Sequence, residues 1–381
     1  MIPGNKNILI IAGEASGDLH GSALITELIK ADPSVRIYGI GGENMKSAGM
    51  NVLYPIDRLA FLGFAEVIRH LPFIKKVQRE IIRLVKEKEI KNAVLIDYPG
   101  FNLSIAKKLK KLGVNNYYYI SPQIWAWGAG RVEKIRALVN KMIVVLPFEK
   151  EFYSKNNVAV EYVGHPLIER INDFKLLSRS EFYNKFNLDP SKDILLILPG
   201  SRRNEITRIF PDAVKAAGKL MEEFNLQTVI ACSDNIDEDL LTNHASNTKF
   251  KVIKGHNYDL MNLAKIGIIK SGTSTLEAAL FSLPMVIVYK TSFLTYLIGR
   301  NLIKLDTIGM ANIIAGEKIV PELIQNQASA QNIYKECRKL LSDENLYSLV
   351  KKKLSLLKNK LGSAGASYKA AQIICSALNE S

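Results

Sequence analysis

The sequence predicts an α/β protein: two doubly wound, Rossmann-like domains facing a cleft, followed by C-terminal helices. Three observations underlie that expectation. Short, continuous apolar runs alternate with amphipathic stretches, the pattern of parallel strands buried on both faces and covered by helices. A polar, turn-rich segment over residues 172–192, ending Asn187-Leu188-Asp189-Pro190-Ser191, separates one such series from a second. At 381 residues the chain is also longer than one hydrophobic core usually spans.

Residues 7–12, 37–40, 93–96, 117–120, 142–146 and 160–163 read as strands of the first domain, taken as residues 1–172. Residues 194–198, 227–231, 251–253, 266–270 and 285–288 read as strands of the second, taken as 173–345. From about Ala328 the pattern is helical, and residues 346–381 are expected to pack on the first domain or on a partner subunit.

The first strand runs into Gly13-Glu14-Ala15-Ser16-Gly17-Asp18, where glycine allows a tight turn and Ser16 or Asp18 can cap the helix that follows. The three-glycine spacing of a dinucleotide fingerprint is absent. An acidic group at such a turn repels phosphate, so Glu14 suits sugar hydroxyls; a plain helix cap is the competing reading. Asp97 ends the run Ala93-Val94-Leu95-Ile96, which puts a carboxylate at a strand's carboxyl edge, where open-sheet ligands gather. There it serves as a general base toward an acceptor hydroxyl, or it caps a turn. Ser121-Pro122-Gln123-Ile124-Trp125-Ala126-Trp127 holds both tryptophans, which either stack on a sugar or line an acyl groove, or simply pack. His165, in Gly164-His165-Pro166, is a hinge or cleft residue or a hydrogen-bonded structural one.

In the second half, Pro199-Gly200-Ser201-Arg202 and Ser271-Gly272-Thr273-Ser274-Thr275-Leu276-Glu277 each follow an apolar run and open a helix. Strand, glycine turn and helix start leave backbone N–H groups aimed at one spot and backed by the helix dipole, a setting for a diphosphate. Of Arg202 and Arg203, one is expected to face phosphate and the other solvent. Glu277 either accepts from ribose hydroxyls or is a first-turn acid favoured by the dipole.

Composition bounds the rest. With 48% hydrophobic and 23% charged residues the chain is ordinarily globular, and Cys232, Cys337 and Cys375 form no paired spacing for a disulfide or zinc, which fits a reducing cytoplasm. The apolar run 8–12 is too short for a signal peptide, and the uncharged stretch 112–130 is broken by Asn115, Asn116, Pro122 and Gln123, so no membrane crossing is expected. The net charge of +14 favours polyanions or anionic lipid. A basic, amphipathic stretch at 59–85, with Phe61, Leu62, Phe64, Leu71, Phe73, Lys75, Lys76 and Arg79, is the candidate membrane surface, against the reading that its apolar face is core. No nucleic-acid signature with regularly placed aromatic residues is present.

Taken together, the 13–18 turn, Ile96-Asp97, Ser121-Pro122 with Trp125-Ala126-Trp127, Leu146-Pro147-Phe148-Glu149-Lys150, Gly164-His165, Leu198-Pro199-Gly200-Ser201-Arg202 and Ser271-Gly272-Thr273 resemble the lipid-A-disaccharide synthases in order and spacing, over residues 7 to about 325. Gly100, Gln123-Ile124 and Met310-Ala311 depart from the usual family pattern. The resemblance implies a GT-B glycosyltransferase fold, with an acceptor-binding first domain and a donor-binding second one. The implied substrates are UDP-2,3-diacylglucosamine and 2,3-diacylglucosamine 1-phosphate, joined with inversion into the β-1,6-linked disaccharide of lipid A with release of UDP. It further implies Asp97 as base, Arg202 on the donor diphosphate, the 271–277 turn and Asn312 on the nucleotide, and Glu14, Ser16, Gly17, Gln123, Trp125 and His165 around the acceptor or cleft. No metal or other cofactor is implied; peripheral attachment to the cytoplasmic face of the inner membrane, and a homodimer, are. The neighbouring alternatives are another UDP-sugar enzyme of the same fold, a 2-epimerase or a transferase to a different lipid acceptor, and a non-enzymatic basic protein that binds RNA or membrane.

Overall fold

The structure, a computed structural model, describes residues 6–58, 71–122, 124, 129–233, 236–245, 250–291 and 307–379. It divides into two compact units, residues 1–169 with 361–381 and residues 170–360.

The first unit is built on a seven-stranded parallel sheet in the order β3-β2-β1-β4-β5-β6-β7. Its strands are β1 (Asn7–Ala12), β2 (Arg36–Gly41), β3 (Asn51–Pro55), β4 (Asn92–Ile96), β5 (Asn115–Tyr119), β6 (Lys141–Val144) and β7 (Val160–Tyr162). Ile8, Leu9, Ile10 and Ile11 are all fully buried, because alternate side chains of a central parallel strand meet helices on opposite faces. Leu9 and Ile11 face one core with Val77, Ile81, Leu109, Ile135 and Tyr153 from four helices. Each such side chain taken from water contributes roughly 1.5–3 kcal/mol.

On the opposite face lies the first helix, Ala15–Ala31, whose Gly17 and Gly21 come close to β1 and β4: a Cβ at Gly17 would lie 3.2 Å from that of Ala12, and one at Gly21 3.1 Å from Ile96 Cδ1. The C-terminal helix Ala366–Asn379 packs against this helix of its own chain; it buries Ala366, Ala370, Ala371 and Ile374, and the three alanines permit close approach. It is tied down by hydrogen bonds from Ser367 N to Glu169 Oε1 (2.9 Å) and from His165 N to Leu361 O (3.2 Å).

The second unit carries a six-stranded parallel sheet in the order β10-β9-β8-β11-β12-β13. The strands are β8 (Asp193–Leu198), β9 (Leu226–Cys232), β10 (Lys251–Lys254), β11 (Ala264–Lys270), β12 (Met285–Tyr289) and β13 (Glu322–Ile324). Residues 346–360 belong here and not with the first domain: Val350, Leu354 and Leu357 are buried, and Tyr347 donates its hydroxyl to Lys265 O at 2.8 Å. Only the segment from Leu361 returns to the first unit, which corrects the expected boundary at 345.

In both sheets the strand order reverses beside the first strand, between β1 and β4 and between β8 and β11. Ligands of open α/β sheets settle outside the carboxyl ends of the strands at such a reversal.

Candidate functional site

At the first reversal, the turn after β1 and the turn after β4 lie side by side, with Ala12 paired to Ile96. They bring Glu14 and Asp97 together. Asp97 and Tyr98 have φ of 44° and 46°, two consecutive non-glycine residues in the left-handed region, which costs of order 1–3 kcal/mol each. The strain is held from several sides. The Asp97 carbonyl accepts from Tyr118 Oη at 2.5 Å and Asn102 Nδ2 at 2.8 Å, and Asp97 N donates to Tyr119 O at 3.2 Å. Pro99 then opens the helix Pro99–Lys111, where its fixed φ is already helical. The Tyr98 ring lies over Gly13, where a Cβ would sit 2.2 Å from Tyr98 Cδ1, so only glycine fits. The outcome is a half-buried carboxylate fixed at the sheet edge. Burial, with the negative charge of Glu14 adding to it, pushes the Asp97 carboxyl up to about 6. A carboxylate with that proton affinity is suited to take a proton from a hydroxyl near neutral pH.

Other expected residues of this unit have structural work. Asp18 does not cap its own helix, and neither does Ser16: the first helix has no side-chain cap. Asp18 instead reaches to the next helix, accepting from Gly42 N (2.6 Å), Met45 N (3.1 Å), Asn44 N (3.2 Å) and Asn44 Nδ2 (2.8 Å). Ser16 is half-buried beside Glu14, whereas Gly17 is buried between helix and strands and is a packing residue. His165 is likewise buried: its Nδ1 accepts from Leu167 N at 3.2 Å, its ring meets His20 edge-on at 6.4 Å, and burial holds it neutral with a pKa near 3. The hydrogen-bonded structural reading therefore replaces the cleft reading. Ser121 and Glu149, both inside motifs, form a buried pair at 2.7 Å that joins the turns after β5 and β6. Gln123 and Trp125 lie outside the described residues, as do Phe61, Leu62 and Phe64. In the helix Leu71–Glu87, Val77, Ile81 and Val85 are core, Phe73 packs edge-on to Tyr54 at 6.0 Å, and Leu71, Lys75, Lys76 and Arg79 are exposed. The apolar face of this helix is thus core from Phe73 onward, and its outward face is basic.

At the second reversal, Leu198 pairs with Ile269, so the Gly200 and Gly272 turns emerge next to each other. Gly200 has φ of 115° and leads to Arg202, which opens the 21-residue helix Arg203–Glu223. Gly272 opens the helix Thr273–Leu280. The two helices therefore begin beside each other at the carboxyl ends of their strands, where Ser201, Arg202 and Thr273 are exposed and Ser274 is half-buried. Arg203 is also exposed. Glu277 is half-buried, accepts from Tyr258 Oη at 3.1 Å and lies 4.0 Å from Arg170; burial raises its carboxyl above the usual range.

Two expected donor residues are committed elsewhere. Ser271 is buried, its N donating to Val288 O (2.9 Å) and its hydroxyl to Ile308 O (3.3 Å). Asn312 uses its whole side chain internally: Nδ2 donates to Val320 O and Glu322 Oε1, and Oδ1 accepts from Ile319 N and Val320 N. No side-chain hydrogen-bonding capacity remains for a nucleotide. Sequence reasoning missed Lys270 and Glu205, which form an ion pair of 2.7 Å between the two turns, and Tyr258 behind Glu277. The signal for Lys270 was its place as the last residue of a buried strand. Among the described residues, no group of three or more His, Cys, Asp or Glu side chains is placed to hold a metal, and no helix is long and apolar enough to cross a membrane.

The lipid-A-disaccharide synthetase family model matches residues 8–375. A lipid-A-disaccharide synthase of Geobacter metallireducens is 42% identical over 379 residues, spanning 99% of this chain and 98% of its own. One of Coxiella burnetii is 39% identical over 372 residues, spanning 97% and 98%. Among solved structures, the UDP-GlcNAc 2-epimerase of Neisseria meningitidis bound to UDP-GlcNAc matches with a TM-score of 0.69 at 13% identity, over 98% of this chain and all of that one. A calicheamicin glycosyltransferase matches with a TM-score of 0.63 at 14% identity, over 99% of both chains. At such identities the structural likeness speaks for the GT-B fold alone.

Proposed function

Because the chain belongs to the lipid-A-disaccharide synthase family, we propose that its two switch points divide the synthesis of the lipid A disaccharide, the first receiving the acceptor and the second the UDP-sugar donor. The enzyme is a UDP-sugar-dependent hexosyltransferase. Its donor in this reading is UDP-2,3-diacylglucosamine and its acceptor 2,3-diacylglucosamine 1-phosphate. Asp97 takes the proton of the acceptor 6-hydroxyl as that oxygen attacks the donor's anomeric carbon. The bond from that carbon to the diphosphate breaks in the same displacement, so the α-linked donor gives a β-1,6 product. Charge collecting on departing UDP falls on the Gly200 and Gly272 turn amides and the Arg202 guanidinium. Glu277 accepts from the ribose hydroxyls.

The observation that supports this reading most directly is the raised carboxyl of Asp97 on a strained turn beside Glu14. A positioned base of that kind assists by roughly 10²–10⁴-fold. Substrates bearing two acyl chains stay anchored in a bilayer, and the outward basic face of the helix Leu71–Glu87, with Lys75, Lys76 and Arg79 exposed, supports attachment to an anionic inner-membrane surface.

The test is UDP release from diacylated UDP-sugar and diacylated sugar phosphate by the native chain, Asp97→Ala and Asp97→Asn. Both variants should lose at least about a hundredfold in turnover while binding UDP and melting at or above the native temperature. A folded variant that keeps more than a tenth of native turnover removes Asp97 from the role of base.

A further inference from the structure

Lys270 is the last residue of β11, and its Nζ stands 2.7 Å from Glu205 Oε1, with Arg202 Nη1 at 3.7 Å from the same oxygen. Lys270 and Glu205 are sheltered, their side chains 17% and 16% exposed, whereas Arg202 is 42% exposed. The pair spans the gap between the glycine turns. A Cβ at Gly200 would lie 2.9 Å from Glu205 Oε2, and a Cβ at Gly272 3.7 Å from Lys270 Nζ. One carboxylate oxygen therefore faces two cations while the other lies against main chain left bare by glycine. That is the environment of a bound anion, supplied here by the protein's own side chain.

We propose that Glu205 is a built-in competitor for the donor diphosphate and that Lys270 is a further diphosphate-binding residue, passing from the carboxylate to phosphate when UDP or UDP-sugar binds. The inference rests on reading the 200–202 and 271–274 turns as the diphosphate cradle. Lys270 suits such a transfer because its ammonium is a compact charge on a flexible four-carbon stem. Its Nζ also lies 5.8 Å from the centre of the Tyr289 ring, whose π face keeps a cation in place while its partner changes. The exchange has a purpose in turnover. A carboxylate that reclaims Lys270 favours departure of UDP after transfer, and a diphosphate that outbids it gains a cation already desolvated. Glu205 also makes the cradle selective: a ligand with a single negative charge displaces it less readily than a diphosphate does.

The test is calorimetric titration of UDP and of uridine into the full chain as native protein, Glu205→Gln, Lys270→Met, the double variant and Arg202→Ala. Glu205→Gln should bind UDP several-fold more tightly than the native chain and leave uridine within twofold. The double variant, which leaves no buried charge unpaired, should bind UDP roughly tenfold more weakly than Glu205→Gln alone, the size expected for one charged hydrogen bond to phosphate. Equal UDP affinity in Glu205→Gln and the double variant overturns the role of Lys270, and weaker UDP binding in Glu205→Gln overturns that of Glu205. If Arg202→Ala loses affinity for UDP while Glu205→Gln and the double variant bind it as the native chain does, this inference fails and the cradle stands. If UDP does not bind the native chain, or binds it independently of Arg202, the cradle itself fails.

Discussion

Asp97 and Glu14 occupy neighbouring turns at the carboxyl edge of β4 and β1, and the charge of Glu14 adds to burial in raising the Asp97 carboxyl to about 6. Two acids placed together at a sheet reversal make one of them a stronger base than an exposed carboxylate, at a cost in stability.

The first prediction concerns the pH profile. Asp97 must be ionised to accept a proton, so kcat/KM should fall on the acid side with an apparent pKa near 6. Glu14→Gln removes the repelling charge and should move that limb to lower pH. It should also lower the plateau, since a weaker base takes the proton less readily. A limb that stays in place would assign the whole shift to burial.

The second prediction is thermodynamic. An acid whose folded pKa is raised, here from 3.8 to about 6, favours the folded state less as it ionises, so the penalty is absent below about pH 4 and complete above about pH 6. Asp97→Asn keeps the shape and removes the charge. It should stabilise the protein by about 1–2 kcal/mol at pH 7.5, allowing for the group's partial exposure, and by nothing at pH 4. Thermal melts at the two pH values check this, and equal melting temperatures at pH 7.5 would count against the buried charge.

What was legible in the sequence and what was not divides along physical lines. The central strands β1, β4, β8 and β11 were readable because burial on both faces forces continuous apolar runs such as Ile194–Leu198. The edge strands β3 and β13 were missed, being short and of mixed polarity, Asn51-Val52-Leu53-Tyr54-Pro55 and Glu322-Leu323-Ile324. Turn chemistry marked Asp97, Gly200 and Gly272 by position, yet nothing local announces that Asp97 and Tyr98 turn left-handed, since that conformation is held by Tyr118 and Asn102. Polar residues within motifs were the hardest to assign. His165, Ser271 and Asn312 read as facing a ligand or cleft and Asp18 as a cap of its own helix, yet Asp18, Ser271 and Asn312 satisfy groups of other segments and His165 the amide of Leu167, demands visible only after folding.

The third prediction follows from Asn312. Its four hydrogen bonds tie the helix Met310–Ala315 to the loop at 319–320 and to Glu322. Asn312→Ala strips the Val320 N–H and carbonyl of their partner and takes one donor from Glu322 Oε1, and should destabilise the second unit by about 2–4 kcal/mol. Urea unfolding measures the loss. A variant as stable as the native chain that nonetheless loses UDP affinity would return Asn312 to the nucleotide.

The last prediction concerns how Glu277 is kept ionised. Burial raises its carboxyl, while the Tyr258 hydroxyl at 3.1 Å and the Arg170 guanidinium at 4.0 Å both favour the charged form. Tyr258→Phe removes one of those supports without changing the ring, so the Glu277 carboxyl should rise further and hold its proton to higher pH. A protonated carboxyl loses acceptor capacity toward a ribose hydroxyl. On the acid side, where the variant's carboxyl holds its proton and the native one does not, donor KM should rise by up to about fivefold, in line with roughly 1 kcal/mol for one hydrogen bond, with kcat nearly unchanged. Because the defect is a matter of protonation, it should deepen as pH falls and shrink as pH rises. A KM penalty independent of pH would mean that Tyr258 only packs beside the site, and no penalty at any pH would mean that the Tyr258 hydroxyl does not govern the proton on Glu277.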